Sequence, residues 1–430
     1  MFDDYYSGST LLKPLSNKIG IEIDRLNFVI CQLIALCVAF LMRNYFHPSY
    51  TSAAIRHIFS FTVGILLSYF CFGYTVFVIS VSYLAAIHTK RLIYNYGSYN
   101  LDITGPLMVM VQRVSGLAFS LHDGLACDYD KLSQYRKKYV TKKKPSLIEY
   151  YGYLFQFQSI LAGPNILFKD YIQFIDGSNF KNAEIKDYSC EPPVIYVVLK
   201  KISVSVLCVI INLTLYSSFS IDKARVICTT LTRFMYYHAW ILAEAVCNAS
   251  GLGFNGFDEN KNAKWDLAKN VDILGFEFAD NLRNAISCWN IGTTVWLRFL
   301  VYERLERYEK YKTLCTFALS AVWHGFYPGY YLCFLTAAIF VSAARTVRKF
   351  VRPYFLCSSQ LKLFYNFLTF LITKFAMGYF TFPFVMFDFW SAIIIYKKLF
   401  FILHVSAIIT LLALPSICKR LPKPATPMIK

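Results

Sequence analysis

Predominantly apolar runs of about 17 residues or more recur along the chain, and no other feature limits its fold so tightly. A helix rises about 1.5 Å per residue, so about 20 such residues cross the hydrocarbon core of a bilayer. Inside lipid every backbone N–H and C=O must find a partner within the protein, which leaves helices as the natural solution for such runs. One run reads Leu26 to Met42, a second about Ile58 to Ile87, a third Val194 to Phe219, and two more lie between about Leu361 and Leu414. The second is too long for one upright span, and Gly64 and Gly73 are the expected points of division. Counting by run length predicts an all-α, polytopic transmembrane helical bundle of about ten membrane segments. No repeat period is evident and no soluble domain can be cut out, so residues 1–430 are expected to form a single multi-pass domain.

Composition narrows the partners. The chain is 56% hydrophobic and 16% charged, with a formal net charge of +18. That charge would suit nucleic acid, but the basic residues sit in short loops between apolar runs. This is the pattern of cytoplasmic membrane loops, and it also suits anionic headgroups and a polyphosphate cosubstrate. Nucleic acid is therefore not an expected partner. Of the 13 cysteines, Cys31, Cys37, Cys71 and Cys208 lie within apolar runs, where they act as small hydrophobes. No ligand spacing points to a zinc site or a disulfide framework, so no metal is expected. Residues 1–25 form a polar N-terminal segment expected to cover the membrane surface, and its acidic start is unlike a signal peptide. Residues 415–430 form a basic tail expected in the cytosol. The sequons at Asn212 and Asn248 fall in apolar or packed stretches and are expected to stay unmodified.

The chemistry concentrates between Trp289 and Tyr331. Here WNIGTTVWLRFLVYERL leads to SAVWHGFYPGYYLCFL, with His324 inside an apolar run and Trp323, Phe326, Tyr327, Tyr330 and Tyr331 around it. A lone histidine on an apolar helix is often a satisfied core residue. Gly325, Pro328 and Gly329 favour another reading, because they should break the helix beside it. Broken helices at membrane depth are tolerated where protein or a water-filled cavity satisfies the backbone. The segment thus suggests a central cavity with a base in its wall, and imidazole can take a proton near neutral pH. The flanking loop Tyr302 to Lys312 is basic-rich. If it is cytosolic, the His324 segment cannot cross as one straight helix.

Other polar positions interrupt apolar stretches. Gln112, Arg113 and Ser115 punctuate Ile103 to Gly124, and His122–Asp123–Gly124 closes it. They read either as a polar wall of a cavity or as a helix ending at the interface. Arg136 to Lys144, RKKYVTKKK, is the densest basic loop and reads chiefly as a topology signal. Lys200 and Lys201 are expected to snorkel to the headgroups. Tyr237, Trp240 and Glu244 share a helix face, and Glu244 is expected to orient other groups rather than do chemistry.

The strings WHGFYPGYY, WN with its following VYER, QRVSGLAFSLHDG and ILAGP resemble the membrane-bound O-acyltransferase family, in its lysophospholipid acyltransferase branch. The resemblance covers most of the chain. It implies an acyl-CoA-dependent transfer to the sn-2 hydroxyl of a lysophospholipid, with lysophosphatidylethanolamine or lysophosphatidylserine favoured. It implies His324 as general base, with Asn290 positioning the alcohol or stabilising the oxyanion. Trp289, Trp296, Trp323, Tyr237, Glu244, Gln112, His122 and Asp123 are candidates for the substrate-binding wall. No cofactor is expected beyond acyl-CoA as cosubstrate, and the implied location is the endoplasmic reticulum membrane. The alternatives are an acyltransferase of the same family acting on a protein or a sterol, and a non-catalytic membrane transporter.

Overall fold

The computed structural model describes residues 6, 8–72, 80–94, 96, 103–181, 183, 191–218 and 225–418. Helices dominate, and among the described residues the only β pairing is an isolated bridge between Phe257 and Ala263. The chain forms a multi-pass membrane protein. Five described helices are long and apolar enough to cross a membrane: Ile23–Tyr45, Ala53–Phe72, the Ile195–Thr214 part of Ile195–Ser218, Pro328–Phe350 and Ser359–Met386. A bent pair, Phe389–Lys398 and Ile402–Cys418, makes a sixth if it is one broken span. Thr104–Leu125 and Arg225–Ser250 have the length but carry charges such as Arg113, Asp123, Arg233 and Glu244.

Two compact units can be distinguished by internal contacts. The first takes Met1–Thr214, Phe234–Val271 and Asn290–Glu303. Its helices are sided in the reverse of a soluble protein. In Ile23–Tyr45, Asn27 and Gln32 are buried while Leu33, Ile34 and Leu41 are exposed. In Ile195–Ser218, Ser205 is buried while Leu199, Leu207 and Ile210 face outward. That is the expected outcome when lipid covers the outside and polar groups must pair within. The second unit takes Leu215–Arg233, Asp272–Trp289 and Arg304–Lys430. Its core gathers Cys333, Ala337, Phe340, Val341, Ala376, Tyr379, Phe380, Ala392 and Tyr396 around Pro328–Phe350. His404 is a satisfied core histidine there, with Nε2 3.1 Å from Thr336 Oγ1 and Nδ1 3.0 Å from the Tyr379 hydroxyl.

Two expectations are corrected, those for Gly64 and Lys201. Gly64 does not divide the long apolar run: it lies inside Ala53–Phe72, and the helix continues to Phe72. A Cβ at Gly64 would fall 1.7 Å from the Phe155 carbonyl oxygen, so its role is close backbone approach. Gly73 lies outside the described residues. His122–Asp123–Gly124 does fall in the closing turn of its helix, which ends at Leu125. Lys201 does not reach for headgroups but bonds to a buried carboxylate, described below, whereas Lys200 is exposed. The expected helix break beside His324 is present, because Lys312–His324 ends there and Pro328–Phe350 starts four residues on. Of the basic tail, 419–430 lie outside the described residues.

The Gly64 contact yields a stability test. Gly64→Ala should cost more than about 3 kcal/mol, since the obstacle is backbone that cannot rotate away. Gly378, inside Ser359–Met386 with nothing within 4 Å of its Cβ position, is the control. Gly378→Ala should be neutral or stabilising by up to about 1 kcal/mol. Thermal unfolding in detergent micelles reads both, and equal effects at the two sites would contradict the packing described.

Candidate active site

Asn290 stands at the N-cap of Ile291–Leu300 with φ 45° and ψ 56°, the left-handed conformation that asparagine tolerates better than most residues. An N-cap asparagine ordinarily turns its side-chain oxygen onto the first free N–H groups of its own helix. Asn290 does not. Asn270 does that work from a neighbouring loop: its carbonyl accepts from the Ile291 N–H at 2.8 Å, and its Oδ1 accepts from the Gly292 N–H at 3.0 Å. The Asn290 carboxamide is thereby released from capping, and among the described residues it has no hydrogen-bond partner.

Asn270 is itself held by Glu244. The Glu244 Oε1 accepts from the N–H groups of Asn270 at 2.7 Å and Val271 at 3.2 Å, and Oε2 accepts from Lys201 Nζ at 2.8 Å. Glu244 is 1% exposed, so a buried charge is both neutralised and hydrogen-bonded, as burial requires. Position 292 is glycine for a steric reason. A Cβ there would sit 3.0 Å from the Asn165 nitrogen, 3.2 Å from its carbonyl oxygen and 3.2 Å from Asn270 Oδ1.

The start of this helix is also tied to Thr104–Leu125. Gln112 Nε2 donates to Thr293 Oγ1 at 2.8 Å, and Trp296 Nε1 donates to Ser115 Oγ at 2.9 Å. Arg113, fully buried, donates to the Leu154 carbonyl and, at 2.6 Å, to Ser159 Oγ. Among the sequence candidates, Gln112 from the neighbouring helix and Trp296 from Asn290's own helix therefore make the bonds that tie the two together. Tyr237 is wholly buried on the Glu244 helix. Asp123 is also wholly buried and pairs with Arg136, whose Nε donates at 3.1 Å, which anchors the basic loop. His122 projects outward, with its side chain 61% exposed. Ligand atoms of His122, Asp123 and Cys127 lie within 4.8 Å of one another. Both Asp123 oxygens already accept from Arg136, so that carboxylate's charge is balanced without an ion. Downstream, Lys142, Lys143, Lys144 and Lys169 rim an open cavity of about 290 Å³ with Phe168 and Ile172 in its lining.

His324 belongs to the second unit and is the last residue of Lys312–His324. Gly325 follows with φ 128° and donates its N–H to the Ala321 and Val322 carbonyls. Four rings pack on the imidazole: Trp323 edge-on at 4.7 Å, Phe334 stacked at 5.1 Å, Phe384 edge-on at 5.0 Å and Tyr330 tilted at 5.8 Å. Phe334 and Phe384 were not among the sequence candidates, and they lie on two later helices. Tyr327 turns instead to Phe387, 4.6 Å away. Trp289, at the end of Leu282–Cys288, packs on Phe276 at 5.0 Å in the same unit.

Asn270, Lys201 and Asn165 were also missed by sequence reasoning. Asn270 looked like one polar residue in a polar loop, and Lys201 like one interfacial lysine.

A model of the MBOAT, membrane-bound O-acyltransferase family matches residues 91–382. Lysophospholipid acyltransferase 6 of Drosophila melanogaster is 40% identical over 96% of this chain, which spans 64% of that relative's length. Membrane-bound glycerophospholipid O-acyltransferase 2 of Homo sapiens is 36% identical over 95% of this chain and 88% of its own length. Lysophospholipid acyltransferase of Schizosaccharomyces pombe is 31% identical over 92% of this chain and 87% of its own.

The Glu244 arrangement can be tested by stability alone. Glu244→Gln leaves the Lys201 ammonium without its counter-charge and should cost about 3 kcal/mol. Adding Lys201→Met should recover most of that loss. Thermal unfolding of the single and double variants in micelles decides it, and additive losses would show that the pair is not coupled.

Proposed function

The chain belongs to the membrane-bound O-acyltransferase family, and on that premise we propose that it transfers a fatty acyl group from acyl-CoA to the free sn-2 hydroxyl of a lysophospholipid. The relatives' names, lysophospholipid acyltransferase and glycerophospholipid O-acyltransferase, support the class of acceptor. The observation that carries the residue assignment is the capping of Ile291–Leu300 by Asn270, because it leaves the Asn290 carboxamide with unused donors and acceptor.

In the proposed reaction the hydroxyl oxygen attacks the thioester carbonyl while His324 takes its proton. A hydroxyl is a poor nucleophile without such a base, and positioned bases contribute about 10²–10⁴ in rate. Collapse of the tetrahedral intermediate breaks the carbon–sulfur bond, and the imidazolium returns the proton to the leaving thiolate. Asn290 Nδ2 donates to the alcohol oxygen or to the oxyanion. An oxyanion donor is worth about 3–4 kcal/mol in other enzymes. No covalent acyl-enzyme is required. The work takes place at membrane depth, where acyl chains are soluble and water is kept from the thioester. The endoplasmic reticulum is the proposed membrane, and lysophosphatidylethanolamine or lysophosphatidylserine the proposed acceptor.

Purified protein in vesicles, offered mixed lysolipids and mixed acyl-CoAs, should yield the corresponding diacyl lipids by mass spectrometry. His324→Ala should lower turnover at least about a hundredfold while membrane insertion is normal. Asn290→Gly, which keeps the left-handed backbone, should lower it by a similar factor. The double variant should be little worse than either single one, as expected of groups that act together. Wild-type turnover in His324→Ala would overturn the reading.

A further inference from the structure

The loop that approaches Gly292 holds a second carboxamide with no use in the protein alone. Asn165 follows Gly163–Pro164, and its backbone lies against Gly292, two residues beyond Asn290. Its Nδ2 and Oδ1 are both shut off from solvent, and neither has a hydrogen-bond partner among the described residues. In the same stretch Gln158 accepts from Ser60 Oγ at 3.2 Å and Ser159 accepts from Arg113 at 2.6 Å, whereas Gln156, wholly buried, is also unpaired; what singles out Asn165 is its place beside Gly292. Buried polar groups in folded proteins are nearly always paired, and an exception calls for a function or a missing ligand. A leucine of the same shape would hold this position without the unmade bonds.

The chemistry of the vacancy names the occupant. A carboxamide with both donor and acceptor unused is matched by a group that offers both in return. Near its reacting hydroxyl a lysophospholipid offers ester oxygens, which only accept; its donors sit on a charged ammonium headgroup beyond the phosphate, and a charge is a poor match for a neutral carboxamide shut off from solvent. An acyl-CoA carries two secondary amides in its pantetheine arm, each an N–H beside a C=O. We propose that Asn165 binds acyl-CoA by a reciprocal pair of hydrogen bonds to a pantetheine amide, Nδ2–H donating to its carbonyl and Oδ1 accepting from its N–H. This rests on the acyl-CoA reading above and assigns the donor substrate to the loop beside Asn290.

The test pairs a protein change with a substrate change. Asn165→Leu removes both bonds and keeps the shape; Asn165→Asp keeps an acceptor, removes the donor, and serves if the leucine variant folds poorly. Either should raise KM for acyl-CoA about tenfold or more and leave KM for the lysolipid within about twofold. With an acyl alkyl thioester that has no amide, variant and wild type should show equal kcat/KM within about twofold. The melting temperature of Asn165→Leu without substrate should be unchanged or higher. In a His324→Ala background, where no turnover confuses the reading, acyl-CoA should raise the melting temperature less when Asn165 is replaced. That binding arm stays readable even if the catalytic assignment of His324 fails. An equal loss with every thioester, a loss confined to lysolipid KM, or no loss at all would each overturn the proposal.

Discussion

One buried carboxylate organises the neighbourhood of Asn290. Glu244 takes the charge of Lys201 on one oxygen and two loop N–H groups on the other. Those N–H groups fix the loop at Asn270, Asn270 caps the next helix, and the cap leaves Asn290 uncommitted. Each link is an ordinary hydrogen bond worth about 1 kcal/mol net, more where a charge takes part. The arrangement matters through sequence: without the first link the loop has no reason to present Asn270, and without Asn270 the helix would recruit its own N-cap residue. An ion pair one shell removed thus governs whether a carboxamide is available for chemistry.

What could be read from the residues follows a physical division. The helix break beside His324 was legible because glycine and proline announce it, and that signal is local. The orienting role expected of Glu244 rested on the cost of a carboxylate at membrane depth, and its bonds agree with that role. Its partners were not legible. Lys201 and Asn270 lie 43 and 26 residues from it, and nothing in either position's composition marks the pairing. Gly64 was misread because a glycine that permits backbone contact and a glycine that interrupts a helix look the same in sequence. Only the carbonyl of Phe155, brought in by a distant loop, tells them apart.

The count of membrane segments shows a related limit. Hydropathy finds helices whose surroundings are lipid, such as Ile195–Ser218 with its outward leucines and isoleucines. It discounts helices whose polar groups are spent inside the protein. Thr104–Leu125 carries Gln112, Arg113 and Asp123, each at most 2% exposed and each bonded to a partner. The helices nearest Asn290 are therefore those that apolarity alone recognises least well.

The glycine of the PGYY string has a mechanical meaning. A Cβ on Gly329 would lie 2.1 Å from the Pro383 carbonyl oxygen, and its N–H donates to the Phe387 carbonyl at 2.9 Å. The turn after His324 is thus bolted to the far end of Ser359–Met386, the helix that also supplies Phe384 to the imidazole. The rings around His324 are set when the chain folds rather than when a substrate arrives. In the proposed reaction an imidazole held in such a rigid bezel meets its substrate with little reorganisation left to do, and that preorganisation is where enzymes gain most over water.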